Sequence, residues 1–248
     1  MNNRVPYLVI IISIMIIDAA KVHSQIELDA ETGAAFTGYN DVRIPGNTGT
    51  LFSLSEELKA DPVFFYRIRL IYNFSERHHL GALYAPLSIK SSGKLDRAIL
   101  FENETFPAYT NLEATFKFNS YRLFYRYDFL RTDKIDAGIG LTAKIRDAKI
   151  TVKGSGLEPE KANVGLVPLI NFRVLWKIFS SIAFLIDGDA LAAPQGRAED
   201  VLAAIIYQVN PKIKLRAGYR ILEGGADNDE VYSFTLVNYA AVGAIFEF

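Results

Sequence analysis

The feature that most constrains this chain is a two-residue alternation that recurs from one end to the other. In "IKLRAGYRIL" the residues Ile213, Leu215, Ala217, Tyr219 and Ile221 take one face, and Lys214, Arg216, Gly218 and Arg220 take the other. In "YRIRLIYNF" Tyr66, Ile68, Leu70, Tyr72 and Phe74 oppose Arg67, Arg69 and Asn73. In "YRLFYRYDF" Tyr121, Leu123, Tyr125, Tyr127 and Phe129 oppose Arg122, Arg126 and Asp128. "IDAGIGLTAKI" sets Ile135, Ala137, Ile139, Leu141, Ala143 and Ile145 against Asp136, Thr142 and Lys144. The last residues, "YAAVGAIFEF", continue the habit, with Phe248, Phe246, Ala244, Val242 and Ala240 on one side. A period of two is what a β-strand with chemically distinct faces requires.

The N-terminal stretch "MNNRVPYLVIIISIMIIDAAKVHSQ" has a different grammar. One early cation, Arg4, precedes an apolar run from Tyr7 to Ile17, and small residues follow at Val22-x-Ser24. This is the pattern of a secretory signal peptide over residues 1–24, cut after Ser24. The run is shorter than the roughly 20 residues of a spanning helix, and Asp18 ends it. The chain has no cysteine, so neither a lipid anchor nor a disulfide framework is available. Residues 25–248 contain no Pro/Gly/Ser-rich linker and read as one domain. With 27 Lys and Arg against 28 Asp and Glu, and no basic run, nucleic acid is not an expected partner.

The alternation divides the domain into ten expected strands: Ile26 to Tyr39, Val63 to Phe74, His78 to Ile89, Leu112 to Leu130, Lys134 to Val152, Asn163 to Lys177, Ser180 to Ala190, Asp200 to Val209, Lys212 to Glu223 and Glu230 to Phe248. Tight turns at "SER", "RTD", "IF" and "NP" alternate with longer connections at Asn40 to Pro62, Lys90 to Asn111, Lys153 to Ala162, Leu191 to Glu199 and Gly224 to Asp229. An even strand number, with short turns at one end and long loops at the other, is the mark of a transmembrane barrel. A soluble Greek-key sandwich would not sort its loops by parity. Many of the thirteen Tyr and seventeen Phe fall near strand ends, where interfacial girdles belong. The expected fold is all-β: a ten-stranded antiparallel up-and-down transmembrane β-barrel.

A terminal Phe248 closing an alternating strand, with Phe246 two residues before it, resembles the C-terminal signature by which bacterial outer-membrane β-barrels are passed to their assembly machinery. "YAPLSIK", "GDALAAPQGRAEDV" and "YRILEGGADNDEVY" resemble a group of such barrels to which no activity attaches. The resemblance implies the outer membrane as location, with its lipids, lipopolysaccharide and the barrel assembly machinery as partners. It supplies no catalytic residues.

Some outer-membrane barrels are enzymes, so catalytic sets must be sought directly. After the signal segment only His78 and His79 remain, beside the "SER" turn and so at the inner end. An omptin-like protease needs an Asp-His pair at the outer mouth. Asp187 and Asp189 supply acids there, and no histidine joins them. A lipid A deacylase-like or palmitoyltransferase-like site lacks the same histidine. The expectation is a non-enzyme without cofactor. Asp227, Asn228, Asp229 and Glu230 offer oxygen ligands to a hard cation but lack the EF-hand spacing, so an ordinary Gly/Asn/Asp turn is the simpler reading, and the metal question stays open. "LFSLSEELKAD" is expected to form a short helix across the mouth.

Strand direction assigns levels to the non-aromatic faces. Arg67, Arg69, Lys144 and Arg146 are expected on one wall of the outer lumen, and Asp187, Asp189, Asp200, Glu223 and Glu230 on the opposite wall, with Arg220 a cation in the acidic half. Such walls either meet as salt bridges or border a polar channel for small polar solutes. Ten strands lie near the filled limit, so a wide pore is not expected. The functional expectation is a structural or narrow-channel barrel with a charged, partly salt-bridged lumen. The alternative is ligand binding or adhesion through the outer loops, and an outer-membrane hydrolase is the third reading.

Overall fold

A computed structural model describes residues 25–193 and 196–248, so the segment expected to be a signal peptide lies outside the described residues. The strands are β1 Ile26–Arg43, β2 Val63–Asn73, β3 His78–Ala85 resumed as Ser88–Gly93, β4 Leu112–Arg131, β5 Ile135–Lys153, β6 Glu160–Lys177, β7 Ile182–Ala193, β8 Gly196–Asn210, β9 Ile213–Asp227 and β10 Tyr232–Glu247. Each pairs antiparallel with the next, and β10 returns to pair with β1 from Glu27↔Glu247 to Arg43↔Tyr232. These ten strands thus close into an up-and-down barrel with no free edge at the seam. The break in β3 falls at Pro86, which has no N–H to give to a ladder.

Alternation now has its physical meaning. Phe64, 92% exposed, and Ile68, Leu70 and Tyr72 of β2 point away from the lumen, as do Leu123 and Phe129 of β4, Leu141 of β5 and Trp176 of β6. No helix is long and apolar enough to cross a membrane, and this exposed apolar belt shows that the crossing is made by strands. Exposed rings cluster, with Tyr84 and Tyr121 stacked at 5.2 Å and His78 against Tyr127 at 5.0 Å.

At one end the turns are tight and closed locally. Thr132 Oγ1 accepts the N–H of Ile135 at 2.9 Å and Asn210 Oδ1 that of Lys212 at 2.8 Å, substituting for backbone acceptors where the chain reverses. The N–H of Phe248 reaches Ile26 O at 2.9 Å, so both ends of the barrel domain sit here.

At the other end two long connections fold over the mouth. The strand Phe52–Ser53 pairs with β1, the strand Lys59–Ala60 pairs with β3, and Ile99–Phe101 pairs with Glu104–Phe106 as a hairpin. Their apolar residues Phe52, Leu54, Leu58, Phe101 and Phe106 bury against Val42 and Val152 of the barrel. Full burial of each such side chain contributes roughly 1.5–3 kcal/mol. The expected helix in "LFSLSEELKAD" is instead a turn between the two short strands, where Ser53 Oγ accepts the N–H of Glu56 and Glu57 Oε2 that of Ser53. The expected long loop from Leu191 to Glu199 is also corrected. β7 and β8 pair as far as Ala193↔Gly196, so the expected loop is mostly strand.

Seam closure depends on one glycine. Gly33 of β1 has φ +145°, and a Cβ there would lie 2.0 Å from the carbonyl oxygen of Ala240. Only glycine lets β10 approach so closely.

Candidate functional site: the charged lumen

The inward faces carry most of the charge. Asp29, Glu31, Asp128, Asp187, Asp189 and Asp200 are all buried there, as are Arg67, Arg122, Arg126, Lys144, Arg216 and Arg220. Buried charge is tolerated only when paired, and the closed barrel brings partners together from strands far apart in sequence.

Asp200 of β8 is the centre. It accepts Arg67 Nη2 of β2 at 2.8 Å, Arg220 Nη1 of β9 at 2.5 Å, and Arg122 Nη2 of β4. Glu31 of β1 accepts Arg220 Nε at 2.7 Å and Nη2 at 2.9 Å, and Arg216 Nη2 at 2.6 Å. Arg216 Nη1 continues to Asp29 at 2.6 Å, and Arg69 Nη1 lies 3.0 Å from Asp187 and 3.8 Å from Asp29. Arg122 Nη1 also holds Asp189 at 2.6 Å, whose other oxygen accepts Thr142 Oγ1 at 2.6 Å and Asn171 Nδ2 at 2.9 Å.

The geometry explains why arginine fills these positions. A planar guanidinium with donors on several edges bridges two carboxylates at once, as Arg122, Arg216 and Arg220 do, whereas an ammonium acts as a single point of charge. The network therefore crosses the lumen rather than lining it. The void beside Arg67, Ser120, Arg122 and Tyr239 measures about 10 Å³, room for roughly one water.

The expectation that one wall carries the cations and the opposite wall the acids is corrected. Acids on β1 and cations on β9 interleave with the expected groups, and the opposite signs meet in the middle. Arg67, Arg69, Asp187, Asp189, Asp200 and Arg220 are brought together. Lys144 is buried with its ammonium 4.7 Å from the Phe118 ring centroid and no carboxylate among the described residues within 4 Å. Arg146 donates to Asn163 Oδ1.

Glu223 does not face the lumen. By the two-residue period it shares the side of Tyr219 and Ile221, and its carboxylate accepts Arg197 Nε at 2.8 Å and the Tyr39 hydroxyl on the barrel exterior. Glu230, expected on the same wall, lies in the β9–β10 connection, 3.9 Å from Lys161. In the Asp227 to Glu230 segment, Asn228 Oδ1 accepts the N–H groups of Glu230 and Val231 at 3.0 Å, which is turn geometry. No group of three His, Cys, Asp or Glu side chains among the described residues is arranged to hold a metal ion.

Sequence reasoning left Asp29, Glu31, Arg122, Arg126 and Arg216 out of the charge clusters. The signal was present, since alternation alone puts Asp29 and Glu31 opposite Leu28 and Ala30. His79 also faces inward, with Nε2 3.0 Å from Asp128 and Nδ1 2.6 Å from Asn73, while His78 faces outward and meets the Tyr125 hydroxyl at 2.7 Å. Phe246 and Phe248 lie on the outward face of the terminal strand.

No family model matches the chain, and no curated protein does. Solved structures do. The outer membrane protease OmpT from Escherichia coli aligns with a TM-score of 0.54 at 10% identity, over 90% of this chain and 96% of that one. The transport unit of the autotransporter AIDA-I from Escherichia coli aligns at 0.49 and 10% identity, over 95% and 94%. The NanC porin aligns at 0.42 and 12% identity, over 89% of this chain and 100% of the other. At such identities the OmpT likeness is one of fold. The chain has the fold of bacterial outer-membrane β-barrels.

Proposed function

We propose that this protein is an outer-membrane barrel sealed by its own ion pairs, a rigid non-conducting support for the structured cap at its loop end. The observation that carries this reading is Asp200, held by arginines from β2, β4 and β9 at once. A carboxylate gripped from three directions leaves no continuous water path at that level, and the adjoining bridges to Glu31, Asp187 and Asp189 extend the seal. Buried pairs of this kind add little net stability, because desolvation offsets attraction, so their contribution is to fix the shape of the lumen. Within the expectation of a structural or narrow-channel barrel, the sealed form is favoured over the channel.

The loop end would face outward, as long loops do in this class, among lipopolysaccharide headgroups, with Phe248 serving the assembly machinery from the inner end. A second reading, binding or adhesion through the cap, draws on the packed order of Phe52, Leu58, Phe101 and Phe106, since a preorganised surface loses little entropy on engaging a partner. Planar-bilayer recording of the refolded barrel tests the seal: no step currents are expected, and stable unitary conductance would overturn it.

A further inference from the structure

The barrel wall is not paired all the way up. β6 stays in register with β5 from Trp176 to Glu160, but its ladder with β7 stops at Ile170↔Ala190. Beyond that point Leu191 to Ala193 pair only with β8, so residues 160–169 have no strand on their β7 side among the described residues. Because the N–H of Lys177 donates to Lys134 O beside β5, odd-numbered backbone groups of β6 point to β5 and even-numbered ones to the gap. Those are Ala162, Val164, Leu166 and Pro168, and Pro168 has no N–H to leave bare.

The surroundings are amphiphilic. On the outer face Val164 and Leu166 are 69% and 71% exposed, continuing the apolar belt. On the inner face Arg146 stands across from Gly165, donates to Asn163 Oδ1, has no carboxylate within 4 Å among the described residues, and keeps a buried Nε without a hydrogen-bond partner. Asn163 is itself exposed although it points inward. Lys161 closes the top of the gap through Glu102 at 3.7 Å and Glu230 at 3.9 Å. A bare sheet edge does not face hydrocarbon, so the gap must hold water or a polar group at the membrane border.

We propose that this gap is a lateral window that binds the acidic headgroup of an amphiphile. The phosphate or carboxylate sits against the Arg146 guanidinium and the free N–H groups of Leu166 and Val164, and the acyl chain lies outside along Val164, Leu166 and Ile170. A guanidinium lacking an acid within the barrel is complementary to that headgroup. Pro168 interrupts the donors that an incoming protein strand would need. The proposal rests on the outer-membrane reading and is independent of whether the lumen conducts.

The test is binding of dodecyl phosphate to the refolded barrel in maltoside micelles, measured by calorimetry beside inorganic phosphate and dodecanol. Saturable binding of one dodecyl phosphate per barrel is expected, with both control compounds at least about tenfold weaker, since headgroup and chain must act together. Arg146→Gln should weaken binding by about tenfold or more and Arg146→Lys by less, because a single charge-assisted contact has that size. Retention of a heat-modifiable gel shift in each variant shows that it is folded. Undiminished binding by Arg146→Gln overturns the site, and equal affinity for inorganic phosphate reduces it to an anion site without a lipid. A photoreactive residue in place of Leu166 that captures a second polypeptide instead of the amphiphile assigns the edge to protein. Recovery of the protein as a soluble monomer would remove the membrane reading itself, an outcome distinct from all three.

Discussion

Asp200 and Glu223 show what one position in the alternation decides. Both are acids near the loop end and both meet arginines, yet Asp200 is 1% exposed at the meeting point of three guanidinium groups and Glu223 lies on the outside with a half-exposed Arg197. Asp200→Asn preserves shape and removes the charge, leaving Arg67, Arg122 and Arg220 uncompensated, which costs on the order of 3–5 kcal/mol. Glu223→Gln breaks a pair whose arginine is half in solvent and leaves Arg197 free to be hydrated, which costs about 1 kcal/mol or less. Urea unfolding of the two variants in one lipid should show this ordering, and equal midpoints would refute the placement. Counting in twos assigns Glu223 to the side of Tyr219, so its true face was legible. What the residues alone did not tell was the partner set of Asp200, because pairing across a closed lumen depends on barrel shear and strand tilt. At the seam, Gly33→Ala sets a methyl 2.0 Å from Ala240 O in a left-handed conformation and should lower the yield of folded barrel.

Strands were more legible than loops, for a physical reason. A membrane strand announces itself through period two over ten residues, and the boundaries read from sequence for β2, β4 and β5 lie within a few residues of those observed. The cap has no such period. Its short strands at Phe52–Ser53 and Lys59–Ala60 exist because β1 and β3 offer them edges, and a helical signal in "SLSEEL" loses to that tertiary pairing. One tie within the cap makes its order depend on pH. Glu57 Oε1 accepts Arg97 Nη1 at 2.5 Å, and that hydrogen bond holds the Glu57 carboxyl below its usual range. A depressed folded-state value means that the stabilisation is present at neutral pH and is lost as pH falls through it. Amide exchange in residues 94–106, referenced to intrinsic rates, should therefore quicken between pH 7 and pH 3, and Glu57→Gln should flatten the change. The terminal element has a different sensitivity. Phe248 is 69% exposed, so Phe248→Ser should alter the stability of refolded barrel by about 0.5 kcal/mol or less while reducing the amount assembled in cells. A large stability loss in vitro would make Phe248 a packing residue rather than an assembly signal.

For the whole molecule, the sealed reading and the channel reading part company over the same two carboxylates. Asp187 meets Arg69, with Arg126 and Arg173 each 3.9 Å away, and Asp189 meets Arg122, Thr142 and Asn171. The double variant Asp187→Asn, Asp189→Asn removes two negative charges from a lumen already richer in cations, since Lys144 and Arg146 have no acid of their own within 4 Å. If the network is a seal, the freed guanidinium groups repel one another in a poorly solvated space. Each broken pair then costs on the order of 3 kcal/mol, less where water enters. The folded barrel should lose its resistance to heat before gel electrophoresis at a lower temperature, and any current it acquires in a bilayer should favour anions, because the remaining field is positive. A pre-existing channel would respond differently: heat resistance would hardly move, since water already screens its walls, while an existing conductance changed selectivity. An unchanged transition together with silent bilayers would mean that neither carboxylate holds the lumen shut, and the three-arginine grip on Asp200 would have to seal the barrel alone.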